Sequence, residues 1–247
     1  MNNSVSERLD VWYQQEPGKS LALAEQQAMA ETLHRLFGYY LLQIGGSNVV
    51  DLVSASPVLN KVRLDHEVSA VFRGLAVQGQ PPVLPFLPKS FDIILLPHTL
   101  EFTEKPVELL HEAHELLIPG GHLIILGFNP FSLWGIMRGW RNKELAFTTK
   151  LIRFGQLHHW LNHFGLRVES YNALFFRPPF RRVNRLQRTL FLEGVGQLCW
   201  PSYGAVYMVV AQKVESAITM ALPFKEIEHL ATAKETRPEL GVRQGGI

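Results

Sequence analysis

Residues 84–130, LPFLPKSFDIILLPHTLEFTEKPVELLHEAHELLIPGGHLIILGFNP, constrain the fold of this chain more than any other stretch. The run Phe91-Asp92-Ile93-Ile94-Leu95-Leu96 is short, apolar and rich in strand formers, as a strand buried on both faces must be. Pro106 suits the first turn of a helix, and Val107, Leu109, Leu110, Ala113, Leu116 and Leu117 recur at spacings that make one apolar stripe. Pro119-Gly120-Gly121 breaks that helix, and His122 to Phe128 is a second apolar run. Strand, helix and strand thus follow within about forty residues, the size of a βαβ unit, whose crossover is right-handed.

Several motifs occur in one order across this unit: Leu84-Pro85-Phe86, Ser90-Phe91-Asp92, His98-Thr99-Leu100-Glu101-Phe102, the turn Leu116-Leu117-Ile118-Pro119-Gly120-Gly121 and the strand after it. Together they resemble the second half of the nucleotide-binding domain of class I S-adenosylmethionine-dependent methyltransferases. The similarity is to the methyltransferase type 11-like kind, and within it to the small-molecule enzymes of the ubiquinone and biotin pathways. Gly127-Phe128-Asn129-Pro130-Phe131-Ser132-Leu133-Trp134-Gly135 and the opening Trp12-Tyr13 resemble a bacterial branch that names no substrate. The resemblance implies an α/β, Rossmann-like fold: a seven-stranded, mostly parallel sheet with its last strand antiparallel and helices on both faces. It also implies S-adenosylmethionine as cofactor. The expected organisation is an N-terminal helical cap over 1–38, a methyltransferase domain over 39–213 with an Arg-rich insertion at 175–203, and a partly disordered tail over 214–247.

Composition limits the partners. A formal net charge of +2 over 247 residues carries no strong nucleic-acid signal, and no apolar run is long enough for a transmembrane helix. MNNSVSERLD lacks the apolar core of a secretory signal, so a cytoplasmic location is expected. The single cysteine, Cys199, excludes an intrachain disulfide and a cysteine-rich zinc site; it reads as a small apolar filler beside Trp200.

Leu21, Leu23, Ala24, Ala28, Leu33, Leu36 and Phe37 predict a helix over 21–37, with Ser20 available as its cap and Gly38 as its stop. It either packs over the cofactor side of the sheet, as in relatives, or is a plain covering helix. Tyr39 to Ile44 predicts the first strand, which runs into Gly45-Gly46-Ser47-Asn48. Backbone without side chains lets a cofactor approach and leaves amides free to bond it, whereas a Gly-Gly pair taken alone is an ordinary turn. The family pattern has an acid followed by glycines at alternate positions. Here Gln43 replaces the acid, Gly45 keeps the first glycine, and Ser47 and Val49 occupy the other two places.

A second strand over Lys61–Asp65 ends in a carboxylate that can accept from both ribose hydroxyls. Asp65 lies 22 positions after Gln43, near the spacing of the dinucleotide fingerprint; the competing reading is an exposed surface acid. Gly79-Gln80-Pro81-Pro82-Val83-Leu84 matches the loop along adenine in relatives, with Gln80 in the place of an acid. The resemblance therefore implies a cofactor site of Gln43, Gly45, Gly46, Ser47, Asp65, Gln80, Leu84, Leu96 and Pro97.

Phe131, Leu133, Trp134, Ile136, Met137 and Trp140 make an aromatic segment that either walls a substrate pocket or packs over the sheet. Thr148-Thr149 can cap a helix holding Leu151 to Leu161 that ends near Phe164-Gly165. Leu166–Leu174 and Gly204–Ala211 read as strands, the closing antiparallel hairpin of the family. The insertion between them carries Arg177, Arg181, Arg182, Arg185 and Arg188, either a solvated face or a site for an acidic substrate, a carrier's phosphate or an anionic membrane surface. His98 follows the fourth strand with a near-neutral reference pKa; it is the candidate base, the alternative being a histidine that packs the site. Glu101 anchors the start of its helix or the loop. His158, His159 and His163 lack the carboxylates or cysteines that would complete a metal site, so no metal is expected. The expected activity is methyl transfer to a small-molecule or carrier-bound acid; the alternative is a binding or scaffold protein that kept the fold after losing acidic cofactor contacts.

Overall fold

Seven strands form one sheet in the order β3-β2-β1-β4-β5-β7-β6. The computed structural model describes residues 5–66, 72, 74–79, 84–137, 151–178, 194, 196, 198, 200 and 202–214. The strands are β1 (Tyr40–Ile44), β2 (Asn60–Asp65), β3 (Leu75–Gln78), β4 (Phe91–Pro97), β5 (Leu117–Phe128), β6 (Leu166–Leu174) and β7 (Val206–Lys213). β3, β2, β1, β4 and β5 pair in parallel, while β7 runs antiparallel to both β5 and β6. This is the predicted topology, with Ile94 opposite Leu123 in neighbouring parallel strands.

Alternation along the central strands creates two cores. Leu41, Ile93, Leu95, Ile124 and Leu126 face one side, where α1 (Val5–Tyr13) and α2 (Gly18–Leu33) supply Leu9, Trp12, Leu21, Met29 and Leu33. Leu42, Ile94, Leu96, Leu123 and Ile125 face the other, against α4 (Pro106–Leu116) and α6 (Phe154–His163). Two short helices, α3 (Thr99–Phe102) and α5 (Leu133–Met137), follow the carboxyl ends of β4 and β5. The described residues fall within one compact unit, Met1–Glu215. No helix among the described residues is long and apolar enough to cross a membrane.

Several boundaries differ from the sequence expectation for identifiable reasons. α2 begins at Gly18 behind Pro17, so Ser20 lies inside the first turn, where its hydroxyl donates to Glu16 at 2.8 Å instead of capping. The helix ends at Leu33, and Gly38 serves packing: a Cβ there would sit 2.4 Å from that of Asp92, whose carboxylate accepts from the Tyr39 and Tyr40 amides. Pro119-Gly120-Gly121 lies within β5, at a register shift against β4. α6 starts at Phe154 with Arg153 as an N-cap that makes no side-chain cap bond, leaving Leu151 and Ile152 ahead of the helix; Thr148 and Thr149 lie outside the described residues. The connection from β1 to β2 contains no helix, only turns. Cys199, most of the insertion and the tail lie outside the described residues.

Leu95 is fully buried in the middle strand β4. Leu95→Ala should lower unfolding free energy by about 2–5 kcal/mol, the cost of a lost side chain plus its cavity, as read by urea denaturation.

Candidate active site

The carboxyl ends of β1, β2, β4 and β5 meet at one edge of the sheet. At the end of β1 the chain turns through Gly45 and Gly46 with φ of +68° and +91°, a region that side chains rarely adopt. The Gly45 amide donates to the Leu64 carbonyl at 2.8 Å, which ties the turn to β2. Thr99 donates its hydroxyl to the Ile44 carbonyl at 2.5 Å, and a Cβ on Gly46 would lie 2.6 Å from the Pro97 ring. The glycines are thus demanded by the close approach of the β4 end as well as by the turn itself.

Asp65 ends β2, beside this turn, and is buried. One carboxylate oxygen accepts from the His66 amide at 2.7 Å, the other from the Arg63 guanidinium at 2.8 Å. Arg63 is only 4% exposed and also donates to the carbonyls of Gly46 and Ser47 at 3.3 and 3.2 Å. The reading of Asp65 as an exposed surface acid is thereby excluded. Gln43, in the place of the family's acid, turns its amide nitrogen inward to the Gly45 carbonyl at 3.0 Å, so it acts as a brace for the turn. From above, Asp10 of α1 accepts from the Ser47 hydroxyl and the Asn48 amide, both at 2.6 Å. Two buried polar atoms beside the turn, Asn48 Oδ1 and Arg63 Nε, have no hydrogen-bond partner among the described residues. Leu84 and Leu96 are buried in the core beneath this edge, and Pro97 abuts Gly46; Gln80 lies outside the described residues.

His98 stands at the end of β4 with φ of +58°, uncommon for a side chain other than glycine, and its amide is held by the Leu126 carbonyl. This backbone turns the ring into a buried cluster. Nε2 lies 3.0 Å from Glu25 of α2 and Nδ1 lies 3.4 Å from Glu101 of α3. Tyr13 donates its hydroxyl to Glu25 at 2.8 Å, and the Phe128 amide donates to Glu101. Burial would lower the His98 pKa, but the charges and hydrogen bonds of Glu25 and Glu101 overcome it and raise the value to about 10. Burial likewise raises the Glu101 carboxyl and, with Glu25 beside it, the Tyr13 phenol.

Flanked by Glu25 and Glu101, His98 is held toward the imidazolium form, in which both ring nitrogens donate. Both ring nitrogens face acids, the geometry of the packing histidine that the sequence reading set beside the base. Glu101 anchors the β5 end through the Phe128 amide, a partner that the sequence reading, which placed it at the start of its helix or in the loop, did not name. The aromatic segment is divided: Trp134 is buried edge-to-face against Trp12 and Phe175, whereas Phe131 and Leu133 are about half exposed. Sequence reasoning missed Asp10, Glu25 and Arg63. An acid on an apolar helix face, at Glu25, and a basic residue inside a buried strand, at Arg63, were the available signals.

A family model described as a methyltransferase domain matches residues 37–125, from just before β1 into β5. Those residues carry the signature of a methyltransferase domain. Over 215 residues it is 27% identical to the protein YafS of Escherichia coli strain K12, spanning 85% of this chain and 83% of that one. Over 95 residues it is 32% identical to the ubiquinone/menaquinone biosynthesis C-methyltransferase UbiE of Ruegeria sp., covering 38% and 37% of the two chains. A solved S-adenosylmethionine-dependent methyltransferase from Thermotoga maritima shares the fold with a TM-score of 0.59 at 19% identity, covering 84% of this chain and 93% of that one. S-adenosylmethionine is the cofactor that the methyltransferase domain implies, and the residues present fit it: a positive-φ glycine turn, a neighbouring carboxylate at the β2 end and orphaned buried polar atoms between them.

The cluster around His98 has a defined pH signature. A raised folded-state pKa gives stability that is fully present below the unfolded value, near 6.5, and lost as pH rises through the folded value, about 10. Urea-denaturation midpoints should therefore fall as pH is raised across that interval, and His98→Gln should be less stable near neutrality with this fall largely abolished. A wild-type profile that stays flat from pH 6.5 to 10 would refute the charged cluster.

Proposed function

We propose that this methyltransferase transfers the methyl group of S-adenosylmethionine to a small-molecule or carrier-bound acid. The observation that carries the reading is the juxtaposition of the Gly45-Gly46 turn with the Asp65 carboxylate at adjacent ends of paired strands, where Ile44 stands opposite Leu64. Open α/β sheets bind ligands at this edge. Gly45, Gly46 and Ser47 would lie along the cofactor, Asp65 would accept from the ribose hydroxyls, and Gln80 with Leu84 would flank adenine. Leu96 and Pro97 close the wall at β4. Gln43 contributes indirectly, by bracing the turn.

When bound, the cofactor supplies a sulfonium-activated methyl group, so the protein's task is to bind, orient and exclude water. His98 and Glu101 hold the β4 and β5 ends rigid. An acidic acceptor is supported by the Arg-rich insertion. Its flanking residues, Leu174 and Val206, pair with one another, and Val206 pairs with Phe128 at the carboxyl end of β5, so the insertion departs from the same end of the sheet as the glycine turn. The backbone carbonyl of Arg177, the first arginine, accepts from the Trp134 indole at 2.8 Å.

A second reading, a non-catalytic binding or scaffold protein, is favoured by the loss of the acid at Gln43 and by the Arg63 ion pair already made by Asp65. Calorimetry separates the two. S-adenosylhomocysteine should give a saturable binding heat, and Asp65→Ala should weaken it by roughly 1.5–3 kcal/mol, the scale of hydrogen bonds to a charged group. Because Asp65 also neutralises Arg63, Asp65→Asn is the shape-preserving companion. No heat with the wild-type protein would overturn the methyltransferase reading, since the scaffold reading predicts none. Affinity unchanged in both folded variants would move the ribose contact elsewhere.

A further inference from the structure

We propose that Asp10, carried by the N-terminal helix α1, is the carboxylate that receives the ammonium group at the amino-acid end of the cofactor, taking over the acidic position vacated at Gln43. The inference rests on the proposed binding of S-adenosylmethionine at the Gly45–Ser47 turn.

The family pattern places an acid at the Gln43 position. Here the side chain is neutral, is 1% exposed, and its amide nitrogen is engaged with the Gly45 carbonyl. The edge needs a replacement, because an ammonium group brought near the Arg63 guanidinium requires a counter-charge. Arg63 makes that need sharper: its guanidinium stands directly behind the turn, donating to the Gly46 and Ser47 carbonyls and to Asp65. Its charge is matched by Asp65, so an ammonium group at the turn needs another anion. Asp10 arrives there from outside the sheet. Oδ1 accepts from Ser47 Oγ and from the Asn48 amide, each at 2.6 Å, while Oδ2 has no hydrogen bond among the described residues. The carboxylate is therefore oriented by two donors and keeps one oxygen to accept from a third. The same Asn48 carries a buried side-chain oxygen, Oδ1, without a partner among the described residues, and the 96%-buried Arg63 presents an equally unpartnered Nε to the small recess they line with Gln43 and Asp51. Buried polar atoms left unpaired in this way mark a place where a ligand completes the bonding.

The position of α1 is itself fixed by groups that do not touch the turn. Leu9, Trp12 and Tyr13 are buried, Trp12 packs edge-to-face on Phe128 and Trp134, and Tyr13 is bonded to Glu25. Asp10 is thus delivered to the turn by the packing of its neighbours on the helix, and its charge can be altered without removing the packing that holds α1.

The test compares S-adenosylhomocysteine with its deamino analogue, in which hydrogen replaces the ammonium group and the carboxylate, thioether and nucleoside are retained. In calorimetric titrations the full-length wild-type protein should prefer S-adenosylhomocysteine by about tenfold, the scale of one charge-assisted hydrogen bond. Asp10→Asn keeps an oxygen to accept from Ser47 and Asn48. It should retain the wild-type melting temperature within a few degrees, bind S-adenosylhomocysteine about tenfold more weakly, and bind the deamino analogue as the wild type does. Equal losses for both ligands would show that Asp10 only shapes the turn, and no loss for either would overturn the proposal outright. Should Asp10→Asn fail to fold, the wild-type comparison alone decides, since equal affinity for the two ligands is incompatible with a carboxylate at the ammonium. A wild-type protein that binds neither ligand removes the cofactor reading and this one with it, whereas tight binding of both without preference removes only this one.

Discussion

An imidazolium held between two buried carboxylates is the interaction on which the arrangement of this molecule depends. His98 belongs to the end of β4, Glu25 to the N-terminal helices and Glu101 to the short helix that leads away from the sheet, so one ring joins three elements distant in sequence. Desolvating such charges is expensive, and the cluster persists because each charged group has bonded partners: Tyr13 and His98 on Glu25, the Phe128 amide and His98 on Glu101. Its left-handed backbone at His98 is the local strain that this over-determination sustains. Through Tyr13 the cluster also sets α1, and through α1 it sets what lies over the glycine turn.

The glycine turn shows how an edge of this kind is rebuilt when its usual support is absent. A helix after the first strand would direct its positive end at the turn. Here the 45–59 connection forms no helix, and a guanidinium from β2 takes the supporting position, bonded to two turn carbonyls. A full charge buried at that spot demands its own anion, which Asp65 provides at 2.8 Å. Asp65 is consequently a structural group, with one oxygen on the Arg63 guanidinium and the other on the His66 amide.

Aromatic packing closes the remaining part of the edge. Trp12, Phe128, Trp134 and Phe175 come from four separate segments and meet edge-to-face or near it, with Phe128 lying against the His98 ring at 4.3 Å between centroids. These rings exclude water from the ion cluster and strengthen its interactions. The N-terminal helix α1 thereby packs, through Trp12, against the carboxyl end of β5.

The alternation of apolar runs with an amphipathic helix between Phe91 and Phe128 was enough to determine a parallel βαβ unit, because buried strands and a one-sided helix leave few other ways to bury those residues. The strand over Leu166–Leu174, the Gly45-Gly46 turn and the acid at Asp65 were legible for the same reason: each depends on residues adjacent in the chain. β3 was not located from the sequence, since Leu75–Gln78 is four residues long and only partly buried, too short for a period to be seen. The protonation of His98, the bracing role of Gln43, the pairing of Arg63 with Asp65 and the arrival of Asp10 at the turn were decided only by tertiary structure. Charge states and hydrogen-bond partners depend on groups brought together across 73 residues in one case and 37 in another, and no local pattern records distances of that kind.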